Sequence, residues 1–145
     1  MDWTTTKKLE EKLIQIDREE DLGRYLEDSE SIFPYQSFAD YFVSLEKVKK
    51  LTTASLVHAS GIERSYCYQI LNGTRSNPGR DKILRLCIAA KLSLKETDRA
   101  LRAADEAALY VRNKRDAIII FSLEQDHSVE DTNLLLDQFS EKPLE

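Results

Sequence analysis

The chain is poor in the residues that build several common kinds of site. Its 145 residues include 2 cysteines, 2 histidines, 4 glycines, 3 prolines, 1 tryptophan and 1 methionine. A metal centre needs clustered ligands such as paired CxxC motifs. Cys67 and Cys87 stand far apart, and His58 and His127 complete no such cluster. Both thiols are therefore expected as small core residues on apolar helix faces. Few glycines and prolines leave few places for tight β-turns, which favours helices. No apolar run approaches the roughly 20 residues that span a bilayer. The start, MDWTTTKKLEEKL, lacks the basic-then-apolar layout of a signal peptide, so a cytoplasmic location and no membrane partner are expected. There is no serine, histidine and acid set at workable spacing, no glycine loop to cradle phosphate, and no paired acids in an apolar setting. These absences argue against an enzyme, and no cofactor is expected.

What is present suits one charge-rich globular protein with a sizeable core: 41% of residues are apolar and 32% charged. The net charge of −5 argues weakly against nucleic acid as a partner. Its distribution argues the other way. Residues 1–36 hold 5 basic and 10 acidic side chains, a net −5. Residues 37–105 hold 12 basic and 7 acidic, a net +5, and residues 106–145 hold 4 and 9, again −5. Positive charge is concentrated in the middle of the chain, as a phosphate backbone would require.

Periodicity and start signals give an all-helical reading. An acidic N-terminal arm, residues 1–36, carries a helical face of Leu9, Leu13, Ile16, Leu22 and Leu26, with Gly23 as the expected break and residues 29–36 as a connector containing Pro34. Ser37 and Asp40 form a capping-box pattern that opens a helix to about Lys50, with Phe38, Tyr41, Phe42, Leu45 and Val48 facing inward. Further helices are expected over residues 80–91 and, from the Ser93/Glu96 box, over 94–104. The segment 117–121, AIIIF, has strand propensity, and a fully buried helix is its other reading. Ser128 and Asp131 open a final helix bearing Leu134, Leu135, Leu136 and Phe139.

The most informative stretch is residues 51–73, LTTASLVHASGIERSYCYQILNG. Two short helices are expected, joined by a tight turn at Gly61, a residue free to take positive φ. Ile62, Cys67 and Ile70 give the second helix an apolar stripe. Its other face offers Arg64, Ser65, Tyr66, Tyr68 and Gln69, all able to hydrogen-bond and none acidic. Such a helix can lie in the major groove of DNA and read base edges.

This segment resembles the helix-turn-helix of the lambda-repressor-like, or xenobiotic-response-element (XRE), family of bacterial DNA-binding proteins. Leu51, Leu56, Gly61, Ile62, Ser65, Ile70, Asn72 and Gly73 fall on the family pattern, followed by Thr74-Arg75 and Asn77-Pro78. Glu63, Val57 and Ser60 depart from it, replacing a serine or threonine cap, an alanine and an apolar residue. The wider chain is similar to one group of bacterial XRE-type regulators with an acidic N-terminal helical arm and a C-terminal segment like RDAIIIFSLEQDHSVEDTNLLLDQF. The resemblance implies a five-helix DNA-binding core over residues 37–105 with extra helices on both sides, and it favours a helix for AIIIF.

The resemblance also implies a transcription regulator whose helix 63–72 enters the major groove of double-stranded DNA. Arg64, Ser65 and Gln69 match the base-reading positions, where arginine pairs with guanine and glutamine with adenine. Tyr66 and Tyr68 are candidates for a thymine methyl or a phosphate, and equally for packing. Thr53, expected to cap the first helix, and Asn72, Thr74, Arg75, Asn77 and Arg80 are candidates for the phosphate backbone, which sets register but not sequence. If about 5 phosphates are neutralised, log affinity falls against log salt with a slope near −4.5. Homodimers on paired half-sites are usual in the family. Residues 118–121 and 134–139 form either a dimer surface or part of the same subunit's core. The rival reading is a protein–protein interaction or antitoxin-like module with weak or lost DNA binding, its acidic arms taking a protein partner. In a mixed variant the N-terminal arm folds over the basic face and competes with DNA.

Overall fold

A computed structural model describes residues 6–27 and 37–145. The connector expected at 29–36, Pro34 included, lies outside the described residues. The chain divides into two units, Met1–Gln36 and Ser37–Glu145. All regular structure among the described residues is helical.

In the first unit, α1 (Thr6–Ile14) and α2 (Glu19–Glu27) are separated at residues 15–18, not at Gly23. Glu19, Glu20 and Asp21 occupy the first turn of α2, where carboxylates suit the positive end of the helix dipole. Gly23 is carried inside α2, at a cost of about 1 kcal/mol relative to alanine.

The second unit begins with α3 (Phe38–Ser44) and α4 (Glu46–Lys49), where one helix to Lys50 was expected. Ser37 accepts the Asp40 N–H as the capping pattern requires (3.1 Å). Ser44 then donates its hydroxyl to the Tyr41 carbonyl (2.6 Å), a local bond that competes with continued helix. Leu45 becomes extended, with φ −73° and ψ 134°, and serves as the start of α4. The break leaves Phe38, Tyr41, Phe42 and Val48 all buried. Then follow α5 (Thr53–Ser60), α6 (Arg64–Leu71), α7 (Arg80–Ala89) and α8 (Leu94–Ala103), so that residues 38–103 hold six helices rather than five.

Helix α7 is the centre of this unit. Ile83, Leu84, Leu86, Cys87 and Ile88 are all buried, as befits a helix with neighbours on nearly every side. It packs against α5, α8 and α10. The last two helices, α9 (Lys114–Glu124) and α10 (Val129–Gln138), pack on each other and belong to the same compact unit. The AIIIF segment is helical. Asn113 caps α9 by accepting the Asp116 N–H (2.9 Å), and Ile119 and Leu123 then face the core. Tertiary burial here overrides strand propensity. The capping boxes at Ser93/Glu96 and Ser128/Asp131 both form.

With so little glycine, four helices end on other residues in the left-handed region: Lys91, Asp105, Asp126 and Ser140, with φ of 58°, 59°, 54° and 61°. Each is followed by an N–H that bonds back across the helix end: Leu92 to the Cys87 carbonyl, Glu106 to Leu101, His127 to Ser122 and Glu141 to Leu136. These bonds satisfy carbonyls that a helix terminus otherwise leaves open.

Three arginines stitch residues 106–145 to the rest of the unit. Arg80 forms a two-point pair with Asp116, 3.0 Å on both arms, and also donates to the carbonyls of Ala107 and Ala108. Arg115 pairs in the same way with Asp81 and donates to the carbonyls of Lys142 and Pro143. Arg85 bridges the carbonyls of Ser60 and Leu144 (2.9 and 2.8 Å). The Asp116 side chain is 8% exposed and also accepts the Tyr110 N–H. Asp116→Ala is expected to destabilise the protein by about 3 kcal/mol, since it leaves the Arg80 charge and a backbone donor without their acceptor. Urea unfolding measures this. A loss under about 1 kcal/mol would show that the pair is dispensable, and Arg80→Met with Asp116→Leu should recover part of the loss.

Candidate nucleic-acid interface

The α5–turn–α6 unit is built by local chemistry. Thr52, not Thr53, caps α5 by accepting the Ser55 N–H (3.0 Å). Thr53 is therefore the first helical residue and half-buried, which corrects its expected capping role. A residue one position earlier takes the cap because its backbone is extended there, at φ −87° and ψ 156°. Gly61 ends α5 at φ 68°, and its N–H bonds the Val57 carbonyl. A Cβ at Gly61 would also come within 3.0 Å of the Arg85 guanidinium. Ser60, where the resemblance leads one to expect an apolar residue, is fully buried with its hydroxyl satisfied: it donates to the Val57 carbonyl and accepts the Ile62 N–H.

Glu63 caps α6 with both carboxylate oxygens. One accepts the Ser65 N–H (3.0 Å) and the other the Tyr66 N–H (3.1 Å). The Tyr66 bond, then the Ser65 bond, hold the carboxyl below the ordinary glutamate value. Glu63 thus stays ionised at the start of the helix while its lone pairs are partly engaged. Ile62, Cys67 and Ile70 are buried, so the rest of α6 is turned outward.

On that outward side Arg64, Ser65 and Tyr68 are exposed and Gln69 is half-exposed. The Arg64 guanidinium stands 5.7 Å from the centre of the Tyr68 ring, one helical turn away. Tyr66 is half-buried, packs against the core and donates its hydroxyl to the Pro78 carbonyl (3.4 Å). Of its two sequence readings, packing is the one the geometry takes up.

The loop after α6 returns to the helix. The Asn72 side-chain oxygen accepts the Thr74 N–H (2.8 Å), shaping the turn, while Thr74, Arg75, Ser76 and Asn77 are exposed. The Arg75 N–H donates to the Gln69 carbonyl (3.0 Å). Its guanidinium lies 4.5 Å over the Tyr66 ring and donates twice to Gln69 Oε1, from Nε at 3.3 Å and Nη2 at 3.2 Å. This cluster of Tyr66, Gln69 and Arg75 was not foreseen. Its only sequence signal is Tyr66 and Gln69 at i, i+3 with an arginine returning past Gly73.

Arg80 is a correction. It was expected to hold phosphate, but its guanidinium makes four hydrogen bonds, to Asp116 and two carbonyls, and points into residues 106–116. Other cations of the basic middle segment are similarly engaged. Lys47 pairs with Glu96, Lys91 holds the Asp126 and His127 carbonyls, and Lys82 holds the Glu145 carbonyl. Arg64 and Arg75 are the cations that α6 and its loop present outward.

Both cysteines are buried, and burial raises both thiols above their ordinary values. Among the described residues, no group of three or more His, Cys, Asp and Glu side chains is placed to hold a metal, and no helix is long and apolar enough to cross a membrane. Comparison of the chain with family models, curated proteins and solved structures finds no match.

The lowered carboxyl pKa values of Glu63 and Asp81 give a sign to the pH dependence. At Asp81, burial pulls upward, but the Arg115 bonds and charge and the Glu145 N–H outweigh it, so the net shift is downward. Groups lowered in the fold contribute stability above their unfolded values and lose it as pH falls through the folded ones. Unfolding by urea should therefore show lower stability at pH 3.5 than at pH 6. Glu63→Gln should shrink the difference. An unchanged difference would remove Glu63 from the acid-sensitive set.

Proposed function

We propose that this protein is a sequence-specific, double-stranded DNA-binding transcription regulator of the XRE type, acting in the cytoplasm, with helix 63–72 read into the major groove. The observation that carries the reading is the outward side of α6. It is set off by a left-handed glycine turn, offers the donors of Arg64, Ser65, Tyr68 and Gln69, and has its one nearby acid, Glu63, occupied as a cap. Side chains of this kind on an exposed short helix are suited to base edges. In this reading Arg64 and Ser65 contact bases beside Gln69, and Tyr68 lies against a base or the sugar–phosphate wall. Thr53, Asn72, Thr74 and Asn77 supply uncharged donors to phosphates on either side. Residues 37–105 are then a lambda-repressor-like core whose first helix is broken at Leu45, and residues 106–145 brace it.

A second reading has its own support. Several cations of residues 37–105 have their donors committed within the fold, while Phe121, Leu134 and Phe139 are exposed on the last two helices. Ile119 and Leu136 of the same helices are fully buried, so the segment serves the core and leaves an apolar remainder outside. That remainder fits a homodimer or a protein–protein interaction module in which DNA binding is weak.

Salt titration separates the two. Arg64 and Arg75, the cations that α6 and its loop present outward, neutralise about two phosphates at ~0.9 each and give a slope of log affinity against log salt near −2, shallower than the count of basic residues alone implies. Binding indifferent to salt, or no binding to genomic fragments, would favour the interaction module. Arg64→Ala should lower discrimination between sequences by about 1–3 kcal/mol at one base pair.

A further inference from the structure

We infer that Arg75 sets what Gln69 reads: with its oxygen held by Arg75, Gln69 recognises a base edge that carries acceptors only, guanine in the first place, and not adenine. The inference rests on the DNA-binding reading above and narrows it at one residue.

The chemistry follows from the inventory of donors. A guanidinium has donors and no acceptor, so the amide atom facing it must be the oxygen of Gln69. Two Arg75 nitrogens reach that oxygen, at 3.3 and 3.2 Å. The guanidinium is itself held from below by the Tyr66 ring at 4.5 Å, and its own main-chain N–H is fixed to the Gln69 carbonyl (3.0 Å). Tyr66 is fixed in turn by its bond to the Pro78 carbonyl, at the far side of the same loop. Three tethers therefore keep the oxygen occupied.

The pairing of glutamine with adenine needs both ends of the amide. Its oxygen accepts from the adenine amino group while its NH2 donates to N7. Here only the NH2 is open. Against adenine it would make one bond and leave the adenine amino donor unmatched beside the cationic Arg75. Guanine presents O6 and N7, two acceptors that a single NH2 can bridge, and it welcomes the neighbouring positive charge. Thymine, with the single acceptor O4, ranks second, and cytosine presents a donor and is rejected. Arg75 thus acts as a positioning residue: it selects through Gln69.

The test is selection from a random double-stranded DNA pool with four full-length proteins: the natural chain, Gln69→Ala, Arg75→Met and the double variant. Arg75 is exposed and Gln69 lies on the outer side of α6, and a thermal unfolding scan checks that all four fold. The natural chain should enrich guanine, or thymine, at one position that Gln69→Ala flattens by about fivefold or more. Arg75→Met should move that position toward adenine, leave the other selected positions in place, and have no such effect when Gln69 is already alanine. Adenine at that position with the natural chain overturns the inference, as does unchanged guanine preference in Arg75→Met. A shift that persists in the Gln69→Ala background means that Arg75 reads the base itself, and also overturns it. If the natural chain enriches sequences but Gln69→Ala flattens none, the inference fails while the DNA-binding reading stands. If no protein enriches any sequence, both fail.

Discussion

The pair between Arg80 and Asp116 joins the first residue of the central helix α7 to α9 across 36 positions of sequence. Much of the second unit hangs on it. Arg80 also gathers the carbonyls of Ala107 and Ala108, and Asp116 gathers the Tyr110 N–H, so one ion pair organises the whole crossing from α8 to α9. Because Asp116 is almost wholly buried, its value lies in being complete. A partly buried pair with most of its donors and acceptors engaged is tolerable, whereas one partner alone is not. The same end of α7 follows directly on the loop that leaves α6. The pair thus fixes where that loop ends, while the bonds of Asn72, Gln69 and Tyr66 shape the loop itself.

That arrangement redistributes charge. The basic middle of the chain looks like an electrostatic platform when its residues are counted. In the fold, Arg80, Arg85, Lys47, Lys82 and Lys91 bind acids or backbone carbonyls within the unit. Cations used in this way stiffen the structure, and their donors are committed within the unit; the charges of Lys47 and Arg80 are also matched by Glu96 and Asp116.

How far the sequence could be read follows from where each determinant sits. The α5–α6 pair was legible because its signals are local: apolar spacing and a glycine that must take positive φ. Glu63, read as a departure from the usual cap, takes the capping role in the structure. The capping boxes at Ser93 and Ser128 were legible for the same reason. The break at Leu45 was not, because it turns on whether the Ser44 hydroxyl bonds its own helix. The direction of Arg80 was not, because its partner lies in a segment whose fold, strand or helix, was itself open. AIIIF needed the core to decide it, since Ile119 is fully buried among residues distant in sequence. In the N-terminal arm, Gly23 drew attention as the breaker while a run of three carboxylates set the start of α2.

The four helix ends built on Lys91, Asp105, Asp126 and Ser140 rather than glycine have a bearing on how the chain tolerates change. All four are exposed, so exposure alone would class them as freely exchangeable. Their backbone says otherwise, because a β-branched side chain in the left-handed region meets its own carbonyl. Glycine and asparagine fit there without strain, whereas valine, isoleucine and threonine do not. Four points on an otherwise permissive surface are thus as selective as core positions, and the criterion that they apply is shape at Cβ rather than polarity.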